Sequence, residues 1–193
     1  MSKTNKTKRK NKVVATRNVN TFSYISSVSK ECLERAESKI EGQNLMLSAS
    51  MVFSAFKVEA FLNHLGSMKI PFWMTIERKL SPIEKLEVIS KYLGITLDLG
   101  KRPFQTLKRM FRFRDSLAHG KSQELFEKTI QDLEEDESPT VPLTYWEKEI
   151  SIETAKLYLE DSKKITVFLS ENANIELSHL VLGSYYSLSA TQI

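Results

Sequence analysis

"NLMLSASMVFSAFKVEAFLNHL", residues 44–65, decides the fold. Its leucines, methionines, valines and phenylalanines do not keep to one helical stripe but recur all the way round at 100° per residue. A helix that only borders a core needs one apolar face, so a helix apolar on every side predicts a central element with neighbours all around it. The stretch is too long for a strand, and no period-2 run of β-branched residues competes with it anywhere in the chain. A buried helical centre is satisfied by other helices, which makes the fold class all-α. Gly66 follows the apolar run and is the expected C-cap.

Outward from this centre, residues 23–41 have the pattern of an amphipathic helix. "SPIE", Ser81 to Glu84, is a capping box with proline at the first helical position. Its helix is expected to run to Tyr92 and Leu93 and to stop at Gly94. A further helix is expected from about Pro103 to His119, stopped by Gly120, and another over 122–135, ending in the acidic run "DLEEDES". Pro139 and Pro142 bracket a loop before a long helix over about 147–171, with Ile152, Ala155, Leu159, Val167 and Phe168 on its buried side. The pattern thus predicts a single-domain bundle of five or six helices over 21–172. A basic, disordered arm is expected over 1–20, and a tail over 173–193 has enough apolar side chains to dock on a partner subunit. There is no internal repeat.

The composition, 41% apolar and 27% charged, is that of an ordinary globular chain. The net charge of +4 hides an asymmetry, because Lys3, Lys6, Lys8, Arg9, Lys10, Lys12 and Arg17 all lie in the first 17 residues, and without them the balance falls to −3. Such an arm adds salt-sensitive affinity for nucleic acid or serves as a solubilising tail. Cys32 is the single cysteine, which excludes an intramolecular disulfide framework and points to a reducing compartment. The N-terminus lacks the apolar segment of a secretory signal, and no apolar run approaches the roughly 20 residues that span a bilayer. A cytoplasmic protein without membrane contact is expected. No Gly-rich phosphate loop, Walker motif or zinc-spaced Cys/His set occurs, so no metal or cofactor is expected. Function then falls to side chains on helices.

"MFRFRDSLAHGK", Met110 to Lys121, offers such side chains. On an ideal helix Phe104, Leu107, Met110, Phe111, Phe113, Leu117 and Ala118 share one broad arc. Lys101, Gln105, Lys108, Arg112 and His119 lie opposite, with Arg102 and Arg109 beside them. Arg114 falls within the apolar arc, where an unpaired charge costs several kcal/mol. Arg114 and His119 are about 140° apart on a straight helix and do not easily meet. They converge if the helix loosens near Gly120, or if a second copy packs against the first across a two-fold axis. Taken singly, each has a plainer explanation: Arg114 pairs with a helix carboxylate such as Glu59, and His119 meets the negative end of the helix dipole.

The context of the motif adds to this. "RDSLAHG" resembles the R-x4-6-H signature of the HEPN superfamily, in which the residue after the arginine is polar; here it is Asp115. "VFSAFKVEAFLNHLG" resembles the second helix of many single-domain members, and the likeness covers roughly residues 23–170. It implies a two-fold dimer of helical bundles with a composite cleft. It also implies metal-independent RNA cleavage in toxin–antitoxin, phage-defence or RNA-processing systems, although many members have lost catalysis and act as binding modules. The motif's roles fall to Arg114, Asp115 and His119. Glu59 joins them on helix phasing, because Glu59 and Asn63 are four apart on an otherwise apolar helix and need a partner.

The chemistry is consistent with those residue types. RNA carries its own nucleophile, the 2′-OH, so cleavage needs a base, an acid for the leaving 5′-oxygen and a cation for the phosphorane-like transition state. Histidine can take the acid or base part, and arginine's planar fork holds phosphate oxygens. Lys101, Lys108, Arg109 and Arg112 would form a track for the RNA backbone, or simply a solvated face. His64, at the end of the buried helix, and His179, in the tail, are weaker candidates, and Trp73 and Trp146 read as core or interface aromatics. Three function classes remain: a homodimeric endoribonuclease acting as a toxin or defence effector beside an antitoxin or defence-system protein, a catalytically inactive module of the same fold binding RNA, a nucleotide or a protein, and an unrelated helical interaction protein.

Overall fold

The structure, a computed structural model, describes residues 11–128, 140–175 and 184–192. It is mostly helical, as the apolar pattern requires. Strand β1 (Asn11–Val19) is followed by helices α1 (Thr21–Ser38), α2 (Gln43–Lys69), α3 (Trp73–Ile76), α4 (Pro82–Leu93), α5 (Gln105–Ala118), α6 (Tyr145–Glu149) and α7 (Ile152–Asn172), then strand β2 (Ser184–Gln192). A 3-10 turn over Glu77–Lys79 links α3 to α4. Helices α3 and α6 are only about a turn long, and the other five make the bundle.

Helix α2 is the centre, packed by α1, α7, α5 and α4. It buries Leu47, Met51, Ala55, Val58, Phe61, Leu62 and Leu65 on several sides at once. Its interface with α1 is close because it is built from small residues. The Ser29 hydroxyl donates to the Ser50 carbonyl at 2.8 Å and lies 2.8 Å from the Ser54 hydroxyl, with Ala36 fully buried nearby on α1. The helix does not end at Gly66, as its sequence suggested. It runs three residues further and stops where Ile70, forced out of helical geometry by Pro71, turns extended. Gly66 has a packing role instead, because the fully buried Trp73 ring occupies the space that a β-carbon would need. By length and composition α2 is also the one helix among the described residues that could cross a membrane, contrary to the expectation that no run approached that length, and half of its most apolar window is buried in the bundle.

Helix α4 opens with the expected capping box and closes at Gly94, whose φ of 68° is the left-handed geometry glycine adopts without strain. The last long helix differs from expectation. A second capping box, Thr144 with Glu147, starts the short α6, and Ser151 then caps α7 by accepting from the Thr154 N–H. Residues 122–128 are irregular, so the helix expected over 122–135 is not formed there; 129–139, with "DLEEDES", lie outside the described residues.

The arm and the tail depart furthest from the sequence reading. Residues 11–19, expected to be disordered, form β1, and the tail pairs with it as β2 in an antiparallel ribbon that sets Asn11 opposite Gln192 and Val19 opposite Ser184. Within the protomer the tail's backbone partner is β1 of its own chain. Val13, Val14 and Val19 stay more than half exposed, so β1 buries little apolar surface, and a lone two-stranded ribbon is marginal in water. Deleting residues 1–19 is therefore expected to leave the melting temperature of the helices nearly unchanged. The same deletion removes seven cations and should flatten the salt dependence of any nucleic-acid binding. A large fall in melting temperature by circular dichroism would show that the ribbon holds the bundle together.

Candidate functional site

Helix α5 stays regular to its end, where the His119 N–H donates to the Asp115 carbonyl at 2.9 Å. Gly120 then ends it, since a β-carbon there would sit 2.5 Å from the Ser116 carbonyl oxygen. The loosening that could have swung His119 toward Arg114 does not occur. The two residues lie in different settings joined by Asp115.

The inner setting is an ion-pair chain. Glu59, from the centre of α2, accepts from Lys85 Nζ at 3.0 Å through one oxygen and from Arg114 Nη2 at 3.1 Å through the other. The Arg114 side chain is 15% exposed, Glu59 25% and Lys85 6%. Arg114 Nε lies 3.1 Å from Asp115 Oδ1, an ion pair without hydrogen-bond alignment, and the guanidinium carbon is 5.5 Å and 5.8 Å from the Phe111 and Phe56 ring centres. Helix phasing thus identified the Arg114–Glu59 pair correctly. Asn63 does not join it, and its side-chain oxygen is buried with no hydrogen-bond partner among the described residues. Lys85 was missed, although a signal existed: it precedes the buried Ile89 by four residues and so lies on the apolar face of α4.

The outer setting is an open cleft of about 390 Å³ at the C-terminal end of α5. Asp115 and His119 line it from the helix, Lys121 from the following strand of irregular chain, and Tyr145 and Trp146 from α6. Arg112 stacks over the Tyr145 ring with its guanidinium carbon 3.7 Å from the centroid. Burial, helped by the nearby Glu149 carboxylate, pushes the Tyr145 hydroxyl above its usual pKa. His119 is exposed, and Asp115, at 52% exposure, stands between the cleft and Arg114. The aromatic floor was not foreseen, because Tyr145 and Trp146 lie 26 and 27 residues beyond His119 across a loop.

The basic stripe divides. Arg112 lines the cleft, but Arg109 is held by Glu149 and reaches toward Thr154. Lys101 pairs with Asp98 at 3.3 Å, and Lys108 is exposed. Beside them Arg102 grips the fully buried Asp161 with Nε at 3.0 Å and Nη2 at 2.8 Å, and the Thr106 hydroxyl donates to the same carboxylate. Arg109 fastens α5 to α6, and Arg102 fastens the turn before α5 to α7, so no continuous track of free cations runs along the described helix. His64 packs against Phe22 at 5.1 Å between ring centres, and burial lowers its pKa. Trp73 is a core residue, and His179 lies outside the described residues. Most of the apolar arc of α5 packs within the protomer, with Phe104, Leu107, Met110, Phe111 and Phe113 all buried, while Leu117 and Ala118 at its end stay exposed.

No group of three or more His, Cys, Asp and Glu among the described residues could hold a metal ion. No family model, curated protein or solved structure matches the chain.

Proposed function

We propose that the protein is a HEPN-type, metal-independent endoribonuclease, a cytoplasmic toxin or phage-defence effector that cuts single-stranded RNA by 2′-OH attack. The observation that carries this reading is the cleft where His119, Asp115, Arg112 and Lys121 meet the aromatic side chains of Tyr145 and Trp146. A histidine moves the proton, the cations hold the phosphodiester, and the aromatic rings offer a face to an unstacked base. The 2′-oxygen forms the new bond to phosphorus, the bond to the 5′-oxygen breaks, and the products are a 2′,3′-cyclic phosphate and a 5′-hydroxyl. One histidine per cleft serves as base or acid, and a second copy would supply the other. Leu117, Leu125, Phe126, Val141 and Leu143 are exposed on the chain segments flanking the cleft. They favour association there, next to the exposed end of α5.

The ion-pair chain favours a second reading, a catalytically inactive module of the same fold that binds RNA, a nucleotide or a protein partner. Arg114 is engaged by two carboxylates and does not line the His119 cleft, so the motif's arginine is placed as a structural arginine would be. The two readings separate in one assay, cleavage of a mixed single-stranded RNA pool in EDTA with the 3′ ends analysed. Wild-type protein is expected to leave 2′,3′-cyclic phosphate. His119→Ala should lower the rate by about 10²–10⁴ with RNA binding retained, because proton transfer contributes only in the transition state. Arg114→Ala should lower the rate through Asp115, the cleft residue whose carboxylate lies 3.1 Å from its Nε. Binding without any cleavage would establish the inactive module, and cleavage that survives both substitutions would place the chemistry elsewhere in the chain.

A further inference from the structure

A second cleft, of about 490 Å³, lies between α1, α2 and α7 and shares no lining residue with the first. Lys57 reaches into it from α2, Lys30 and Leu33 line it from α1, and Lys156, Leu159 and Lys163 line it from α7. Lys57 is unusual because the whole residue is only 5% exposed. Its ammonium donates to the Ser162 hydroxyl oxygen at 3.3 Å, and that hydroxyl spends its own proton on the Leu159 carbonyl. No carboxylate among the described residues lies within ion-pairing distance of Lys57.

The acids nearby are otherwise occupied. Glu160, which also lines the cleft, is held by Lys164 and Arg102, while Glu37 pairs with Lys156 and Glu34 with Lys30. Lys163 has no ion-pair partner among the described residues. A buried ammonium ordinarily keeps a counter-ion, because desolvating an unpaired charge is costly. Here the protein supplies only a hydroxyl, and a second ammonium faces the same space.

We propose that this cleft binds the phosphate group of a small phosphomonoester, with Lys57 and Lys163 holding its oxygens. A dianion matches two ammonium groups better than a carboxylate does, and three donors on each lysine suit tetrahedral oxygens. The apolar walls, Leu33 and Leu159, leave room for an organic group beside the phosphate, within the range typical of small-molecule sites. Burial, reinforced by the Lys163 charge, lowers the Lys57 pKa to about 8. The charged groups facing it are Lys30 on α1 and Lys156, Glu160 and Lys163 on α7. A phosphomonoester is already largely dianionic above pH 7, so affinity should fall about tenfold per unit as pH rises past 8, where each binding event must first restore the Lys57 proton.

The test is calorimetric titration of the full chain with phenyl phosphate and with inorganic phosphate, at matched ionic strength. Phenyl phosphate binding more tightly identifies a monoester as the occupant, and equal affinities identify the free ion; either supports the site. Lys57→Met should remove binding at least tenfold, and the variant should remain folded, since it replaces a buried charge by an apolar chain of similar length. Lys163→Gln should weaken binding, and Lys91→Gln, on the exposed face of α4, should leave it unchanged. Absence of binding at millimolar ligand, or equal binding by folded Lys57→Met, would overturn the proposal.

Discussion

Glu59→Ala is expected to destabilise the protein by about 3 kcal/mol, the lower end of the cost of breaking a buried ion pair from one side, because the carboxylate is 25% exposed. The loss should exceed that of Arg114→Ala, although the two residues are partners. Glu59 is the one carboxylate shared by two cations, so its removal leaves Lys85 and Arg114 facing each other, with only the half-exposed Asp115 nearby. Removal of Arg114 leaves Glu59 still paired with Lys85 at 3.0 Å, and the expected loss is about 2 kcal/mol, that of a hydrogen bond to a charged group. Glu59→Gln, which keeps the shape without the charge, should fall between them. Urea denaturation of the three variants gives the ranking. Arg114→Ala proving more damaging than Glu59→Ala would mean that Lys85 does not hold the carboxylate.

Gly66→Ala should have a comparable effect for a different reason. An added methyl group at that point overlaps the six-membered ring of Trp73, which is fully buried and cannot swing into solvent. Overpacking a rigid core costs typically 1–3 kcal/mol and more where nothing yields. Alanine is otherwise the better helix former by about 1 kcal/mol, so the clash must outweigh that gain. A loss of about 3 kcal/mol or more is expected in thermal or denaturant unfolding. Trp73→Ala should cost about 3–5 kcal/mol through the cavity it leaves. The double variant should lose much less than the two losses combined, since the added methyl then enters vacated space. Strict additivity would show that Gly66 matters for another reason.

What the sequence disclosed follows the range of the interactions involved. Helix α2 was legible because 22 consecutive residues repeat one message, and the Arg114–Glu59 pair was legible because each charge lies on an otherwise apolar face and needs a partner. Lys85 and Lys57 carry the same signal less legibly, since a lysine's long stem makes it look like a surface residue at any phase. The start of α6 is also written in the chain as the capping box at Thr144, but the apolar period runs on through it and points to one continuous helix. The ribbon was not legible at all. Nothing within "NKVVATRNV" names a partner some 170 residues away, and pairing at that distance is a property of the folded chain. The cleft beside His119 failed for the same reason: its aromatic wall arrives on a separate element after an intervening loop.

The register of that ribbon also decides how the molecule answers a pull. Because Asn11 faces Gln192, tension applied to the two ends of the described chain loads the outermost pair alone. The strands then part like a zipper, one rung after another, instead of sliding past each other with every rung resisting together. Nine rungs must open in turn before any force reaches α1 or α7. The ribbon is therefore a soft mechanical fuse, which yields at low load and shields the helices, and the clefts between them, from strain arriving through the backbone.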